Sequence, residues 1–254
     1  MGVERMTKIY LSPSDQRANL YACDSAISEA QMCRKIALKL QEKLGAYPQF
    51  DVRVGEEQIG YVGRAKDSNN WGANMHIPIH TNAGGGAGSV VFTFDYNGDG
   101  AKLGGVMIDY LSKISGRGGT IRTERGLYEI NNTYAPCCYV EVDFHDNPVI
   151  SRWIVEHVDN IAQAMCQAIL EYYGVTEKKK VFYRVYAGVR NKEKKDADVL
   201  TGRMKEKGID AFTVKRGKNW LCQVGQFELK SNAQNCLKKV QGVGVGGFIK
   251  TVKK

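Results

Sequence analysis

The sequence predicts an α/β protein with two domains: a mixed sheet flanked by helices, followed by a small α+β domain of βαββαβ topology. Three observations lead to this fold class. The chain has 254 residues, 43% hydrophobic and 25% charged, so it is long enough for two ordinary globular units. Short apolar runs alternate with amphipathic helical patterns over residues 1–174. After a charged linker at residues 175–180, residues 181–254 contain a strand–helix–strand pattern twice.

The first unit is expected to begin with a strand at residues 8–13, which a proline ends. A helix follows, because Ser28 is a good N-cap, apolar residues recur at helical spacing and Gly45 ends the pattern. Glu29 then lies in the first turn of that helix. The other expected strands are 51–54, 75–82, 92–100 with a closing turn and 137–148 with a closing polar loop, and the other expected helices are 102–114 and 151–173.

The second unit is internally repeated. When its halves are aligned, a glycine recurs near a strand end (Gly188 and Gly225) and an alanine recurs in an amphipathic helix (Ala197 and Ala233). A duplicated strand–helix–strand half gives a four-stranded sheet with two helices behind it, which is the ferredoxin-like topology.

Charge is divided unevenly between the two units. From Val175 onward there are 20 Lys and Arg against 7 Asp and Glu, whereas the preceding residues have 16 against 20. A basic unit favours a polyanionic partner, and nucleic acid, anionic lipid and a teichoic-acid-bearing wall all meet that requirement. No apolar stretch approaches the roughly 20 residues of a membrane helix, so membrane insertion is not expected. Seven cysteines without a CxxC pair predict buried free thiols.

All four histidines, His76, His80, His145 and His157, lie in the first unit. His80 ends an apolar strand beside a glycine-rich run at residues 84–88, at the edge where α/β sheets place their sites. His76 lies four residues earlier on the same strand, roughly 13 Å away, so the two cannot bind one metal ion. We expect His76 to be a packed strand residue and His157 to have no part in the chemistry.

A second apolar strand ends in three acids, a histidine and an amide, in the segment from Glu141 to Asn147. Zinc hydrolysis needs about three nitrogen or carboxylate ligands, an open position for water and a nearby carboxylate that accepts the proton of that water. Glu29, His80, His145 and Glu141 would together supply that set.

Three segments of the first unit resemble the zinc-dependent N-acetylmuramoyl-L-alanine amidases, the family of bacterial cell-separation amidases and many phage endolysins. In that family an acidic metal ligand opens the first helix, matching Glu29 in SEAQM. A strand end of the form S-x-H-x-N-A matches IHTNA with His80, and the strand that ends in the catalytic glutamate matches EVDFHDNP with Glu141. The resemblance covers roughly residues 8–174. It implies bound Zn²⁺ and hydrolysis of the amide between N-acetylmuramic acid and L-alanine in peptidoglycan.

One ligand of the family is missing. The family usually has a histidine in a G-H-G-type turn after the first strand, where residues 12–16 of this chain read SPSDQ. Either His145 reaches the metal or Asp15 replaces the histidine, and we favour His145 because neutral imidazole binds zinc well. A third alternative is a non-catalytic peptidoglycan-binding protein that has lost the metal.

The resemblance also implies a division of roles. Zinc held by the three ligands would polarise a water and the amide carbonyl, and Glu141 would take the proton of that water and pass it to the leaving amine. Asn82 and Asn147 are the candidates for orienting the substrate.

Residues 181–254 resemble sporulation-related repeat (SPOR) domains, which bind the glycan strands of peptidoglycan. The resemblance lies in FYRVYAGVRNKEKKDADVL and WLCQVGQFELKSNAQNCL. An RNA-recognition sheet shares this topology and charge, but its aromatic RNP1 consensus is not found, so nucleic acid is not the expected partner. The start of the chain lacks the apolar core of a secretory signal. We therefore expect synthesis in the cytoplasm and action on the wall after release or export.

Overall fold

The structure is a computed structural model that describes residues 6–176 and 181–253. The chain divides into two compact units, Met1–Thr176 and Glu177–Lys254. The domain boundaries expected from the sequence, 1–174, 175–180 and 181–254, stay predictions, and residues 177–180 of the expected linker lie outside the described residues.

The first unit is built on a mixed sheet, as predicted, and the sheet has six strands because β7 joins the five that the sequence predicts. Four neighbouring strands are parallel, in the order β4-β1-β5-β8; β6 is antiparallel to β8, and β7 is parallel to β6. The two short strands β2 and β3 pair with each other. The strands are β1 (Thr7–Pro13), β2 (Leu20–Tyr21), β3 (Asp24–Ser28), β4 (Phe50–Val54), β5 (Met75–Asn82), β6 (Ser89–Thr93), β7 (Gly119–Thr123) and β8 (Tyr139–Phe144).

Helices cover both faces of this sheet. Helices α1, α3 and α6 pack on one face and form the main hydrophobic core with the inward residues of β1, β5 and β8. Helices α2 and α4 contact each other, and α2 lies against β1 on the other face. The helices are α1 (Glu29–Leu44), α2 (Gly60–Trp71), α3 (Asp99–Ser115), α4 (Tyr128–Asn132), α5 (Pro148–Glu156) and α6 (Val158–Tyr172).

Helix α1 begins and ends where the sequence predicts. Ser28 accepts a hydrogen bond from the Gln31 backbone, and the Gln31 side chain accepts one from the Ser28 backbone, which together form a capping box. Gly45 ends the helix. The capping box fixes Glu29 in the first turn, where a carboxylate is also favoured by the helix dipole.

The expected helix over residues 151–173 is two helices, α5 and α6, which meet at His157. The His157 ring stacks on Trp153, and its Nδ1 lies 2.8 Å from the Trp153 carbonyl oxygen. A side chain that bonds the carbonyl four residues earlier competes with the helical hydrogen bonds, and the helix is interrupted there, where His157 has a φ of −117°.

The second unit confirms the predicted four-stranded α+β domain. Its antiparallel sheet has the order β10-β11-β9-β12, with two helices that bury Ala197 and Ala233 against it. Its elements are β9 (Val181–Asn191), α7 (Lys194–Glu206), β10 (Phe212–Arg216), β11 (Asn219–Phe227), α8 (Lys230–Gly242) and β12 (Gly247–Lys253). Gly188 and Gly225 lie inside β9 and β11 rather than at their ends. Gly188 has a φ of +69°, and a Cβ there would lie 2.4 Å from the Leu200 side chain, so only glycine fits.

The cysteine side chains and the lengths of the helices bear on the redox state of the thiols and on membrane crossing. The seven cysteines are free thiols, and five of them are buried. Within residues 6–176 and 181–253, none of the helices has the length and apolarity required to cross a bilayer.

Candidate active site

The two central strands β5 and β8 bring His80 and Glu141 together. The two residues are register partners on adjacent parallel strands, so their side chains share one face of the sheet, the face that carries α2 and α4. Tyr139, two residues before Glu141, points to the same face. Its ring stacks on the His80 imidazole with 4.6 Å between centroids.

Glu29 reaches the same place from the first turn of α1. Its Oε1 accepts a hydrogen bond from His80 Nδ1 at 2.8 Å, and its Oε2 accepts one from Asn19 Nδ2 at 2.8 Å. Burial by itself raises the pKa of Glu29, but the hydrogen bond and charge of His80 and the hydrogen bond of Asn19 hold that pKa below its usual value. Glu29 therefore stays ionised near neutral pH and fixes the orientation of the His80 ring.

Two buried polar atoms at this edge have no hydrogen-bond partner: His80 Nε2 and Glu141 Oε2. An imidazole that donates from Nδ1 carries its lone pair on Nε2, so both atoms are free acceptors. Burial raises the pKa of Glu141 to about 7, against the lowering effect of His80 and with a further increase from the charge of Glu29. Glu141 can therefore change protonation state near neutral pH, as a general base must.

His145 lies on the opposite face of β5. Its ring stacks on Tyr21 with 5.5 Å between centroids, and its Nδ1 lies 3.0 Å from Thr81 Oγ1 and 2.9 Å from the Thr81 carbonyl oxygen. Because side chains alternate along a strand, Thr81 points away from the face of His80. Among the described residues, no hydrogen bond joins His145 to Glu29 or His80, although the Thr81 backbone N–H also donates to Glu29 Oε1 at 3.4 Å. The role of His145 as a metal ligand stays a prediction.

Asp15, the alternative ligand, is held by a fully buried arginine. Arg64 Nη1 donates to Asp15 Oδ2 at 3.3 Å, and Arg64 Nε donates to Ser12 Oγ at 2.7 Å. Ser12 Oγ also donates to Glu129 Oε1, and His76 Nε2 lies 3.1 Å from the same oxygen. We call these five residues the buried polar network. His76 is thereby a packed strand residue, as predicted.

The two candidate substrate-orienting amides contact the local backbone. Asn82 Oδ1 accepts from the Ala83 N–H at 2.8 Å, and Asn147 Oδ1 caps α5 by accepting from the backbone N–H groups of Val149 and Ile150. Both side-chain oxygens are occupied in this way. Contact of Asn82 or Asn147 with substrate stays a prediction.

A pocket of about 350 Å³ opens beside His80 on the face of α2 and α4. Its lining includes Tyr139, Gln16, Tyr61 and Tyr128, for which the sequence predicts no functional role. Tyr139 could have been found from Glu141, because residues two apart on a strand share a face. The other three, Gln16, Tyr61 and Tyr128, come from a loop and from two helices that were not predicted. The full lining is Asp15, Gln16, Tyr61, His80, Gly126, Leu127, Tyr128, Glu129 and Tyr139.

The donor atoms at this edge suit a zinc ion in kind. A carboxylate lies beside an imidazole, and two buried acceptors have no partner. The number of donors is too small for a complete zinc site. Within the described parts of the chain, no group of three or more His, Cys, Asp or Glu residues is placed so that it could hold a metal ion. Two side-chain amides lie beside this pair: Asn19 Nδ2 is 2.8 Å from Glu29 Oε2, and Gln16 Nε2 is 3.5 Å from His80 Nδ1.

Comparison with protein families matches both units. Residues 15–171 match the N-acetylmuramoyl-L-alanine amidase family, and residues 179–251 match the SPOR domain. Among characterised relatives, the N-acetylmuramoyl-L-alanine amidase CwlM of Bacillus licheniformis is 24% identical over 221 residues, which cover 83% of this chain and 86% of the relative.

Solved structures share the fold of the first unit. The catalytic domain of CwlV, an N-acetylmuramoyl-L-alanine amidase from Bacillus (Paenibacillus) polymyxa var. colistinus, superposes with a TM-score of 0.60 at 20% identity, over 67% of this chain and 100% of that one. An N-acetylmuramoyl-L-alanine amidase from Clostridium difficile 630 superposes with a TM-score of 0.59 at 20% identity, over 67% of this chain and 98% of that one. At 20% sequence identity, the similarity to these two structures establishes a shared fold.

Proposed function

We propose how this chain, which belongs to the N-acetylmuramoyl-L-alanine amidase family, carries out the reaction of that family. The reaction is hydrolysis of the amide bond between N-acetylmuramic acid and L-alanine in peptidoglycan. One observation supports the mechanism. At the buried site formed by β5, β8 and α1, Glu29 contacts His80, while His80 Nε2 and Glu141 Oε2 have no hydrogen-bond partner.

Glu141 is the general base in this mechanism. It takes a proton from the attacking water, whose oxygen bonds to the lactyl carbonyl carbon, and it delivers that proton to the nitrogen of L-alanine as the carbon–nitrogen bond breaks. A carboxyl group with a pKa of about 7 can perform both transfers near neutral pH. Glu29 holds the His80 ring in place throughout.

Glu29 and His80 are the residues that would hold Zn²⁺. A bound zinc ion supplies a Lewis acid that polarises a carbonyl group and acidifies water. The competing function, a peptidoglycan-binding protein without catalysis, is favoured by one observation, the lack of a third His, Cys, Asp or Glu donor among the described residues.

Metal analysis separates these alternatives. We expect about one zinc ion per wild-type chain after zinc loading and dialysis, and we expect Glu29→Ala and His80→Ala to lose it because catalytic zinc needs each of its few protein ligands. His145→Ala is the matched control and should keep its zinc. Loss of zinc from a folded His145→Ala protein would show that His145 completes the ligand set, and a wild type without zinc would favour the non-catalytic function.

The SPOR unit makes peptidoglycan a binding partner as well as a substrate. A second binding module on the same chain raises the local concentration of the enzyme at the wall. Removal of the residues after Thr176 should therefore lower binding to purified sacculi at least tenfold and change the cleavage rate of a small soluble muropeptide by less than about threefold. Sedimentation with sacculi and a soluble assay measure the two effects, and an equal loss in both would refute a separate anchoring role.

A further inference from the structure

The pocket beside His80 has an aromatic wall. Tyr61 on α2 and Tyr128 on α4 meet edge to face with 5.6 Å between ring centroids, and Tyr61 is 49% exposed. We call this pair the tyrosine wall. It is held in place by the buried polar network, because Arg64 lies one turn after Tyr61 and Glu129 directly follows Tyr128.

This pocket offers no cation to an acidic ligand among the residues that the structure describes. Its ionisable lining groups there, besides tyrosines, are His80, Asp15 and Glu129, and Asp15 is paired with the fully buried Arg64. Burial alone would raise the pKa of Glu129, but hydrogen bonds from His76 and Ser12 hold it low, so this acid is ionised. A carboxylate-bearing peptide would find no free cation here, whereas a neutral sugar ring has flat C–H faces that suit a rigid tyrosine ring and hydroxyls that suit its polar edge.

A second cavity, of about 540 Å³, is lined mainly by residues of α1 and of the chain before it. Among the described residues its charged lining groups are Arg17, Arg34, Lys35 and Glu57, and we call it the basic groove. Arg17 pairs with Glu57 at 2.6 Å and Arg34 lies 3.8 Å from Glu56, whereas Lys35 has no ion pair among the described residues. Arg17 directly follows Gln16 of the tyrosine pocket, and the lining residue Ser28 directly precedes Glu29. The linings of the two cavities therefore include chain neighbours at Gln16–Arg17, and the basic groove begins next to Glu29.

We propose that the tyrosine wall binds the muramic acid sugar ring and that the basic groove binds the carboxylate-bearing stem peptide, so that the scissile amide lies between them. This inference rests on the proposed function and adds the orientation of the substrate. Tyr61, Tyr128, Arg34 and Lys35 are thereby specificity-determining residues, none of which belongs to the Glu29–His80–Glu141 set.

Competitive inhibition of the full chain tests this orientation. Cleavage of a soluble muropeptide is measured with two competitive inhibitors, the muramic-acid-containing disaccharide with its lactyl carboxyl group blocked as the methyl ester, and the free stem tripeptide. Tyr61→Ala and Tyr128→Ala should each raise the inhibition constant of the disaccharide about tenfold and leave that of the tripeptide unchanged. Arg34→Gln and Lys35→Gln should raise the constant of the tripeptide several-fold and leave that of the disaccharide unchanged.

Two controls accompany the test. Tyr134→Ala removes a tyrosine that is 90% exposed and lies outside the pocket, so it should change neither constant. Tyr61→Phe keeps the ring and should retain disaccharide affinity. Unchanged disaccharide constants in both alanine variants, or the reverse pattern for the two inhibitors, would overturn the orientation. A wild type that releases no L-alanine amino termini would instead overturn the proposed function.

Discussion

Glu141→Gln should lower the rate of peptidoglycan cleavage by about 10² to 10⁴, the contribution typical of a positioned general acid–base group. The substitution keeps the shape of the side chain and removes its ability to accept and return a proton. It leaves Glu29 and His80 untouched, so zinc content and binding to sacculi should equal those of the wild type. The measurement is the appearance of new L-alanine amino termini from purified peptidoglycan.

Glu156→Gln is the matched control for this loss. Glu156 is an exposed residue of α5, so the substitution removes the same charge away from the candidate site and should leave the rate unchanged. If Glu141→Gln keeps its rate within a few-fold of the wild type, another group moves the proton. If both the rate and the zinc content fall, Glu141 belongs to the metal site instead.

Arg64→Met should destabilise the first unit by about 3 kcal/mol or more, since breaking a buried ion pair leaves its partners desolvated and unpaired. Arg64 is fully buried, and it donates to both Asp15 and Ser12 in the buried polar network. Methionine fills most of the same space without the charge. The loss is measured as the change in the free energy of unfolding from urea titration.

Arg53→Met provides the comparison for Arg64→Met. Arg53 pairs with Asp67 at 3.0 Å on the same side of the sheet, but its side chain is 43% exposed, and exposed pairs contribute less than about 1 kcal/mol. Equal losses in the free energy of unfolding for the two variants would show that burial of the guanidinium does not determine its contribution to stability.

The buried polar network also predicts a dependence of stability on pH. The pKa of Glu129 is raised by burial and lowered more strongly by His76 and Ser12, so it lies below the usual value in the folded chain. The corresponding stabilisation is present above the unfolded pKa and is lost as the pH falls through the folded pKa. Acid sensitivity of unfolding should therefore be smaller in Glu129→Gln than in the wild type.

Local signals predicted the elements that carry the main site residues. Alternating and apolar strands identified β1, β5 and β8, and the Ser28 cap with its apolar spacing identified α1. Helix α2 was not predicted because its buried residues are Arg64, Ala65 and Ser68, and a polar buried face gives no hydrophobic period. Helix α4 has five residues, too few for a periodic pattern to be read. Both helices line the pocket, so the tyrosine wall was missed with them.

The sequence by itself determined the two-unit α/β organisation, the order of the motifs and the elements that carry Glu29, His80 and Glu141. Each of these depends on residues that are close in the chain, through caps, periodicity and turns. Only the tertiary structure decided that Glu29 touches His80, that Asp15 pairs with Arg64 and that His145 lies on the face of Thr81. Those outcomes depend on which strands become neighbours and on which face each side chain emerges, and both are set by packing between residues that are 49 to 64 positions apart.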